Sequence, residues 1–403
     1  MRGPYHYPIP YTHNLNGSKT ARGTPVLLAV RELGLGGSER QAAETALALD
    51  RAHFEPHVVC FRSGGFRASE LAEAGVPILD LGLRSLMAPS MLASAARLGR
   101  YLTQHQIQLV HAFDVPSNLF TVPVARWNRV PAVLSSQRAH RELTTGLTRH
   151  LLRLTDRIVD GIVVNSRAVA RELAADDGVP RSMIRLAYNG LDTGVFRRDG
   201  PRTPLPWSGD EPVVGVVCAL RPEKGLTVLL DAFARARGAK LLIVGSGPVL
   251  PELEARAREL DLGIDCHFQP AASNVAEWLR AMDVFVLPSL SEALSNSLLE
   301  AMGCGCCPIA SDAGGNPELI TDGETGLLFP AGDAEALAAC LRRVLSDAGL
   351  RLRLAAAAGE RARTMFAREI AAARMGAIYR EFLGESAPAA RGRRGGLSHQ
   401  HRS

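Results

Sequence analysis

Residues 284–303 read VFVLPSLSEALSNSLLEAMG, an apolar run, a polar loop and a helical pattern in direct succession. Val284–Leu287 is short, apolar and partly β-branched, which is typical of a strand buried on both faces. Residues 295–297, Ser-Asn-Ser, are favoured helix N-caps, and the helical pattern after them extends to Gly303. The stretch therefore predicts strand, loop and helix, the repeating unit of a parallel sheet with crossover helices.

The same alternation continues on both sides of this stretch. Helical patterns such as Glu39–Leu49 and Ala168–Ala175 separate the apolar runs. The predicted strands are Val26–Val30, His57–Phe61, Pro77–Leu81, Leu109–Ala112, Ala132–Ser135, Gly161–Asn165, Val213–Cys218, Lys240–Val244, Cys266–Gln269, Val284–Leu287 and Pro308–Ala310. The chain is therefore predicted to be an α/β protein.

A stretch rich in proline divides this pattern into two similar halves. Arg197–Pro212 contains four prolines and breaks the alternation, so it predicts a linker between domains at 25–196 and 212–369. Each half predicts a Rossmann-like domain with a parallel sheet. Because ligands bind beyond the carboxyl ends of such strands, two sheets that face each other predict a deep cleft. Residues 1–24 are predicted to be a disordered leader and 385–403 a disordered basic tail.

Composition and charge exclude several classes of protein. The chain has 403 residues, 46% of them apolar, which is enough for two cores. Its formal charge of +5 comes from the two ends, which carry +3 each and leave −1 for the rest. This distribution argues against a nucleic-acid groove. No apolar stretch is long enough to span a bilayer, and residues 1–24 lack the apolar segment of a signal peptide. We expect a cytoplasmic protein.

Three of the seven cysteines are close together in the sequence. Cys304, Cys306 and Cys307 could suggest a metal site, but no Cys/His pair with matching spacing completes a tetrahedral set nearby. The sequence therefore favours core packing for these cysteines and predicts no metal or other cofactor.

Two glutamates flank the predicted helix start. Glu292 lies in the loop, and Glu300 lies about one turn inside the helix, so they cannot share a proton on one atom. The helix N-terminus between them presents unbonded N–H groups, which bind anions. A nucleotide sugar has the matching layout: sugar hydroxyls, a diphosphate and ribose hydroxyls, with carboxylates suited to the hydroxyls at each end. The alternative is two glutamates on a solvated helix.

Two cations follow the first strand of the second half. Arg221 and Lys224 come directly after Val213–Cys218, at the end of the strand that faces the predicted cleft. Together they could neutralise a diphosphate as a glycosidic bond to phosphate breaks. The alternative is a surface turn in which Glu223 pairs locally with a cation.

Two further strand ends carry candidate residues. Gly36 and Gly37 follow the first strand and would let the backbone approach a ligand, or simply allow tight strand–helix packing. His111 ends the Leu109–Ala112 strand, where it could donate to a sugar hydroxyl or occupy a satisfied core position. The sequence leaves both pairs of alternatives open.

In this order, the motifs resemble those of glycosyltransferase family 4, a group of retaining enzymes with the GT-B fold. The resemblance covers about residues 25–384. The motifs are Gly36-Gly37-Ser38-Glu39-Arg40, Val163-Val164-Asn165-Ser166, Tyr188-Asn189-Gly190-Leu191-Asp192, Arg221-Pro222-Glu223-Lys224-Gly225, Gly245-Ser246-Gly247-Pro248, Pro288 through Met302, and Gly314-Gly315-Asn316-Pro317-Glu318.

The resemblance implies roles for the candidate residues. Arg221 and Lys224 would hold the diphosphate, Glu300 the nucleotide ribose and Glu292 the donor sugar. The first domain would be the acceptor side, and a last helix near 370–384 would cross back to it. The remaining implied contacts are Gly36 and Gly37 at the donor phosphates, His111 near the sugar, and helix-start amides at Asn296, Ser297 and Leu298.

The implied activity is transfer from a nucleotide-diphosphate sugar without a bound metal. The acceptor hydroxyl would attack the anomeric carbon from the face that the diphosphate leaves, and the departing phosphate would take the proton. A nucleotide-sugar isomerase, or epimerase, and a non-catalytic partner protein on the same fold are the alternatives.

An arginine-rich segment of the first domain suggests where an acceptor could come from. Arg138, Arg141, Arg149, Arg153 and Arg157 are interleaved with leucines, and the last three follow a four-residue spacing. Such a helix could rest on anionic headgroups at the inner face of the membrane and present a lipid-linked acceptor. A solvated face over a packed helix is the alternative.

Overall fold

The computed structural model describes residues 23–34, 36–141 and 144–384. The first half forms a seven-stranded sheet in the order β3-β2-β1-β4-β5-β6-β7, and every neighbouring pair is parallel. Its strands are β1 (Thr24–Glu32), β2 (Phe54–Arg62), β3 (Ile78–Asp80), β4 (Leu109–Ala112), β5 (Ala132–Gln137), β6 (Gly161–Val164) and β7 (Ile184–Leu186). The predicted leader is outside the described residues up to position 22, but Thr24 already belongs to β1.

The second half forms a six-stranded parallel sheet in the order β10-β9-β8-β11-β12-β13. Its strands are β8 (Val213–Val217), β9 (Lys240–Val244), β10 (Cys266–Gln269), β11 (Val284–Leu287), β12 (Cys307–Ser311) and β13 (Leu327–Phe329). In both sheets the strand order reverses beside the first strand, which is the doubly wound arrangement. The predicted pair of parallel-sheet domains is confirmed.

Helices cover both faces of each sheet, so each sheet separates two apolar cores. In the first half they are α1 (Gly37–Ala48), α2 (Phe66–Glu73), α3 (Ser90–Gln104), α4 (Val115–Trp127), α5 (Gly146–Asp156) and α6 (Arg167–Asp176). In the second half they are α7 (Leu226–Ala236), α8 (Leu250–Glu259), α9 (Val275–Arg280), α10 (Asn296–Cys304), α11 (Asn316–Leu319), α12 (Ala334–Ser346), α13 (Ala348–Met365) and α14 (Arg368–Phe382). Both faces of the central strands are buried, which explains their continuous apolar runs.

The last helix returns to the first sheet. Tyr379 of α14 is fully buried in a core of that sheet, and its ring packs edge-on against Phe54 at 5.9 Å. The segment that leads into this helix pairs with Leu191 of the first half, whose N–H donates to Phe366 O at 2.7 Å and whose carbonyl accepts from Arg368 N at 2.9 Å. Helix α14 therefore follows the second half in sequence but packs in a core of the first half, which connects the two halves.

Several strand and helix bounds differ from the prediction by one to three residues, and two strands were not predicted. Helix α10 continues through Gly303 to Cys304, and Gly305 ends it in the left-handed region at φ 84°. The strands that were not predicted are β7 and β13, which have three residues each.

The three neighbouring cysteines lie in the protein core. Cys304, Cys306 and Cys307 are buried, and burial raises the pKa of each thiol. Within the described ranges, no group of three or more His, Cys, Asp or Glu side chains is arranged to hold a metal ion. The predicted basic tail, 385–403, is outside the described residues.

Candidate active site

The two halves enclose a cavity of about 480 Å³ at the carboxyl ends of their strands. Most of the residues proposed from the sequence converge on it from both sides. The cavity is lined by the candidates Gly36, Gly37, Arg221, Lys224, Glu292, Asn296, Ser297 and Glu300. The structure therefore brings together groups that are up to 264 positions apart in the chain.

The N-terminus of α10 points into this cavity. Ser295 caps the helix, because its Oγ accepts from Leu298 N at 3.2 Å. The amides of Asn296 and Ser297 precede the first intrahelical bond, from Leu299 N to Ser295 O at 3.3 Å. Leu298 does not line the cavity: its side chain is fully buried, and the cap uses its N–H. Because the cap already uses the Leu298 N–H, the geometry favours the amides of Asn296 and Ser297 for the predicted anion site.

Lys224 and Glu292 form an ion pair on the floor of the cavity. Lys224 Nζ lies 2.6 Å from Glu292 Oε2, which also accepts from Ser289 Oγ at 3.2 Å. Burial opposes the charged ammonium, but the adjacent carboxylate outweighs it and raises the pKa of Lys224. The sequence assigned these two residues to different parts of a ligand, whereas here they neutralise each other.

A glycine explains why these two loops meet. Gly225 ends the short 3-10 turn Pro222–Lys224 in the left-handed region, at φ 62°. A Cβ at this position would overlap the carbonyl oxygen of Pro288. The absence of a side chain at Gly225 therefore lets the Lys224 loop pack against the Glu292 loop. Arg221, in the same loop, projects outward with 63% of its side chain exposed.

Glu300 is paired across the cleft. Its buried carboxylate forms an ion pair with Arg40 of α1, which belongs to the first half of the chain. Burial lowers the pKa of the Arg40 guanidinium. The approach of α1 to α10 is close, since a Cβ at Gly37 would lie 3.2 Å from Asn296 Nδ2. Each candidate acid of the cavity thus has a cationic partner.

His111 does not line the cavity. Its ring is fully buried, with Nδ1 at 2.8 Å from Tyr379 Oη and Nε2 at 2.9 Å from Ser136 Oγ. Burial, with the nearby Arg138 cation, holds the pKa of His111 well below its usual value. The geometry matches the alternative of a satisfied core histidine and does not place the ring in contact with a ligand in the cavity.

Two family models match most of the described chain. Residues 35–195 match the model for Glycosyltransferase Family 4, and residues 199–363 match the model for Glycosyl transferases group 1. The chain belongs to glycosyltransferase family 4.

Curated relatives agree with this family membership. The chain is 33% identical over 214 residues to the lipopolysaccharide core biosynthesis glycosyltransferase LpsE of Rhizobium meliloti (strain 1021), covering 53% of this chain and 62% of the relative. It is 32% identical over 248 residues to the D-inositol 3-phosphate glycosyltransferase of Mycobacterium bovis (strain BCG / Pasteur 1173P2), covering 59% and 52%. The matches thus span about half to three fifths of these relatives.

Solved structures with the same architecture confirm the predicted GT-B fold. Anabaena HepE in complex with UDP-glucose superposes with a TM-score of 0.76 at 19% identity, covering 89% of this chain and 99% of that chain. The sucrose-phosphate synthase of Thermosynechococcus elongatus gives a TM-score of 0.77 at 21% identity, covering 90% and 100%. At sequence identities of 19% and 21%, the structural similarity is evidence for the fold alone.

Four charged or amide side chains that line the cavity of this family 4 chain were not among the site residues predicted from the sequence. They are Arg40, Arg138, Asn165 and Asn189. Arg138 and Asn165 directly follow β5 and β6, so their position at a carboxyl strand end was a signal that could have found them. Arg138 was predicted instead on a basic helix with Arg141. The structure corrects this placement, because α5 begins at Gly146 and Arg141 is buried in an ion pair with Asp156.

Glu44 is a further buried acid, one α1 turn from Arg40. Burial raises its pKa to about 7, although the Arg40 and Arg67 cations oppose the shift. An acid whose pKa is raised on folding binds a proton in the native state, so stability falls as pH rises from about 4.5 to about 7. We expect Glu44 to lower the free energy of unfolding by roughly 2 kcal/mol between pH 5 and pH 8.

Urea titrations at both pH values test this expectation. Glu44→Gln should be less sensitive to pH than the wild type, whereas Glu73→Gln, at an exposed position of α2, should match the wild type. Equal pH dependence in the wild type and Glu44→Gln would contradict the expected titration of Glu44.

Proposed function

We propose that this chain is a retaining, metal-independent hexosyltransferase that uses a nucleotide-diphosphate sugar. Its acceptor is a hydroxyl of a glycan or a lipid-linked sugar, in cell-surface polysaccharide or glycolipid synthesis. The observation that carries the proposal is the convergence of two acids, four cations and one helix N-terminus on a single cavity. The LpsE relative, named for lipopolysaccharide core biosynthesis, supports this setting.

The diphosphate would lie at the start of α10. Exposed amides of Asn296 and Ser297 and the guanidinium of Arg221 would bind its oxygens. Lys224 would add charge as the sugar–phosphate bond breaks, because a preorganised cation stabilises a developing oxyanion without reorganising. In this proposal the cations of the chain take the role that a metal ion has in other transferases.

The two ion-paired acids would bind hydroxyls on either side of the diphosphate. Glu292 would bind hydroxyls of the donor sugar while its carboxylate is held by Lys224. Glu300 would accept from the ribose hydroxyls while its carboxylate is held by Arg40. The acceptor hydroxyl would then form its bond to the anomeric carbon on the face that the diphosphate leaves. The bond to phosphate breaks, and the acceptor proton passes to the leaving phosphate, so no carboxylate of the chain becomes glycosylated.

Donor binding and product stereochemistry test the function. We expect UDP, GDP or ADP, or one of their sugars, to raise the Tm, because a ligand at 100 times its Kd stabilises the native state by about 2.7 kcal/mol. NMR of the product should show the anomeric configuration of the donor. An inverted product would contradict the mechanism, and conversion of the donor to an epimer without acceptor would favour an isomerase.

We also propose that the chain acts in the cytoplasm at the inner face of the cell membrane. Three leucines of α5, Leu147, Leu151 and Leu154, are 72%, 39% and 43% exposed and share one helical face. Trp127 at the end of α4 is 89% exposed, and α4 packs against α5. Exposed leucines beside a tryptophan are typical of a surface that enters the headgroup region.

Among the helices that the structure describes, none is long and apolar enough to cross a bilayer.

The arginines of α5 are a poor target for testing membrane contact, because Arg149 and Arg153 each pair with Asp177, at 2.9 Å and 3.0 Å.

Sedimentation with liposomes that contain anionic lipid tests this part of the proposal. Changing Leu147, Leu151 and Leu154 together to Gln should reduce the bound fraction about tenfold or more, since each buried leucine contributes about 1.5 kcal/mol or more. Leu352→Gln, at another exposed leucine on α13, is the matched control. Equal sedimentation of both variants would contradict membrane contact through α5.

A further inference from the structure

Two polar groups on the first-half wall of the cavity lack hydrogen-bond partners. Arg138 Nε and Asn165 Oδ1 are both shielded from solvent and unpartnered in the part of the chain that the structure describes. Asn165 is 3% exposed, and both residues line the cavity. Buried polar atoms in native proteins nearly always have partners, so an unpartnered donor and an unpartnered acceptor on two residues that line one cavity point to a ligand.

The sheet register places these two groups side by side. Gln137 at the end of β5 pairs with Val164 at the end of β6. Arg138 and Asn165 are the next residue of each strand, so neighbouring strands in parallel register present them at the same edge. The register of β5 and β6 therefore brings the backbones of these two residues close together.

Arg138 differs from the other cavity cations because no carboxylate of the described residues forms an ion pair with it, whereas Arg221 lies 4.0 Å from Glu223. Lys224 pairs with Glu292, and Arg40 pairs with Glu300. Arg138 donates through Nη1 to the neutral Asn189 Oδ1 at 2.7 Å. Its guanidinium lies 5.0 Å from the centre of the Phe113 ring.

No carboxylate of the described residues forms an ion pair with Arg138. Burial lowers its pKa to about 10, which still leaves it protonated at neutral pH. A shielded cation without a counterion is costly, and an anionic ligand would remove that cost.

We propose that Arg138 and Asn165 form a subsite for an acidic sugar acceptor. Arg138 binds a carboxylate or phosphate group of the acceptor, and the Asn165 carboxamide binds an adjacent hydroxyl. The inference rests on the proposed transferase function and specifies its acceptor. Arg138 and Asn165 belong to the first half, whereas Arg221 and the α10 amides that would hold the donor belong to the second half. Asn189 bridges the two sides, because it accepts from Arg138 and donates through Nδ2 to Asn296 Oδ1 at 2.8 Å, so the acceptor would bind next to the donor.

Calorimetric titration tests the anion subsite. The protein is first saturated with UDP, or with GDP or ADP if UDP gives no Tm shift, so that added phosphate cannot occupy the diphosphate position. Inorganic phosphate should then bind to the wild type. Arg138→Gln should lower the affinity for phosphate roughly tenfold or more, because a charge-assisted bidentate contact is lost. Arg138→Lys should retain part of the affinity, and Arg100→Gln, at an exposed arginine of α3, should retain all of it.

A matched pair of sugars tests the acceptor class. D-Glucuronate differs from D-glucose by a carboxylate in place of the hydroxymethyl group. The UDP-saturated wild type should bind glucuronate more tightly than glucose, and Arg138→Gln should lose this preference. Asn165→Ala should lower the affinity for both sugars. A wild type that binds neither phosphate nor glucuronate in preference to glucose would overturn the subsite.

Two further readouts separate this proposal from its competitors. The ligand-free Tm of Arg138→Gln should equal or exceed that of the wild type, because an uncompensated cation has been removed. A lower Tm would instead make Arg138 a structural support for Asn189 and Phe113. Loss of UDP binding in Arg138→Gln would assign the arginine to the donor diphosphate and overturn the acceptor assignment. If the wild type binds no nucleoside diphosphate, the proposed function fails, while the phosphate titration without nucleotide still tests Arg138.

Discussion

Lys224→Ala should lower kcat/KM for sugar transfer about 100- to 1000-fold, the usual effect of removing one preorganised donor from an oxyanion site. Two effects act in the same direction. The leaving diphosphate loses a cation, and Glu292 loses the partner that holds its carboxylate 2.6 Å from Lys224 Nζ. We therefore expect most of the loss in kcat, with a smaller change in the Kd for the donor.

Single-turnover transfer assays and donor titrations separate these two quantities. Lys240→Ala is the matched control, because Lys240 also forms ion pairs, with Asp265 at 2.7 Å and Glu211 at 3.7 Å, but does not line the cavity. Its transfer rate should equal that of the wild type. Wild-type transfer by folded Lys224→Ala protein would remove Lys224 from the mechanism.

Arg40→Ala should destabilise the protein by about 3 to 5 kcal/mol, the range observed when one partner of a buried ion pair is removed. Glu300 would keep a shielded carboxylate without its cation. Because Arg40 lies on α1 and Glu300 on α10, the lost contact connects the two halves of the chain. Urea unfolding at pH 7.5 measures the change.

A double variant distinguishes loss of charge balance from loss of packing. Arg40→Met with Glu300→Gln removes both charges and keeps similar volumes, so it should recover more than half of the lost stability. Arg51→Ala, an exposed arginine beyond the end of α1, should change the free energy of unfolding by less than about 0.5 kcal/mol. Equal destabilisation by the double variant and Arg40→Ala would show that the pair does not supply the stability.

The prediction from sequence was most accurate where the signal is local. The bounds of β4, β9, β10 and β11 were predicted without error, because each is a compact apolar run between polar or glycine-bearing segments. The start of α10 was also predicted, since Ser295 is an N-cap whose effect is confined to one turn. The roles of the cavity residues remain predictions, but their convergence follows from their positions at strand ends.

Sequence patterns left alternatives open, or favoured the wrong one, where distant parts of the chain decide the environment of a residue. His111 has the same local sequence whether it faces a ligand or the core, and Tyr379, 268 positions away, occupies one of its ring nitrogens. Arg138 resembled part of a surface helix, yet β5 places it at the cavity. Neither outcome can be obtained from a pattern of neighbouring residues.

The sequence by itself determined the two parallel sheets, the linker between them and the edge of each sheet at which polar residues gather. Local periodicity and capping are sufficient for this, because they act over a few residues. Only the tertiary structure decided which charges neutralise each other: Lys224 with Glu292, Arg40 with Glu300, and Arg138 with no carboxylate of the described residues. The physical reason is that an ion pair depends on distances of a few ångströms between side chains, and these are set by how separate strands and helices pack.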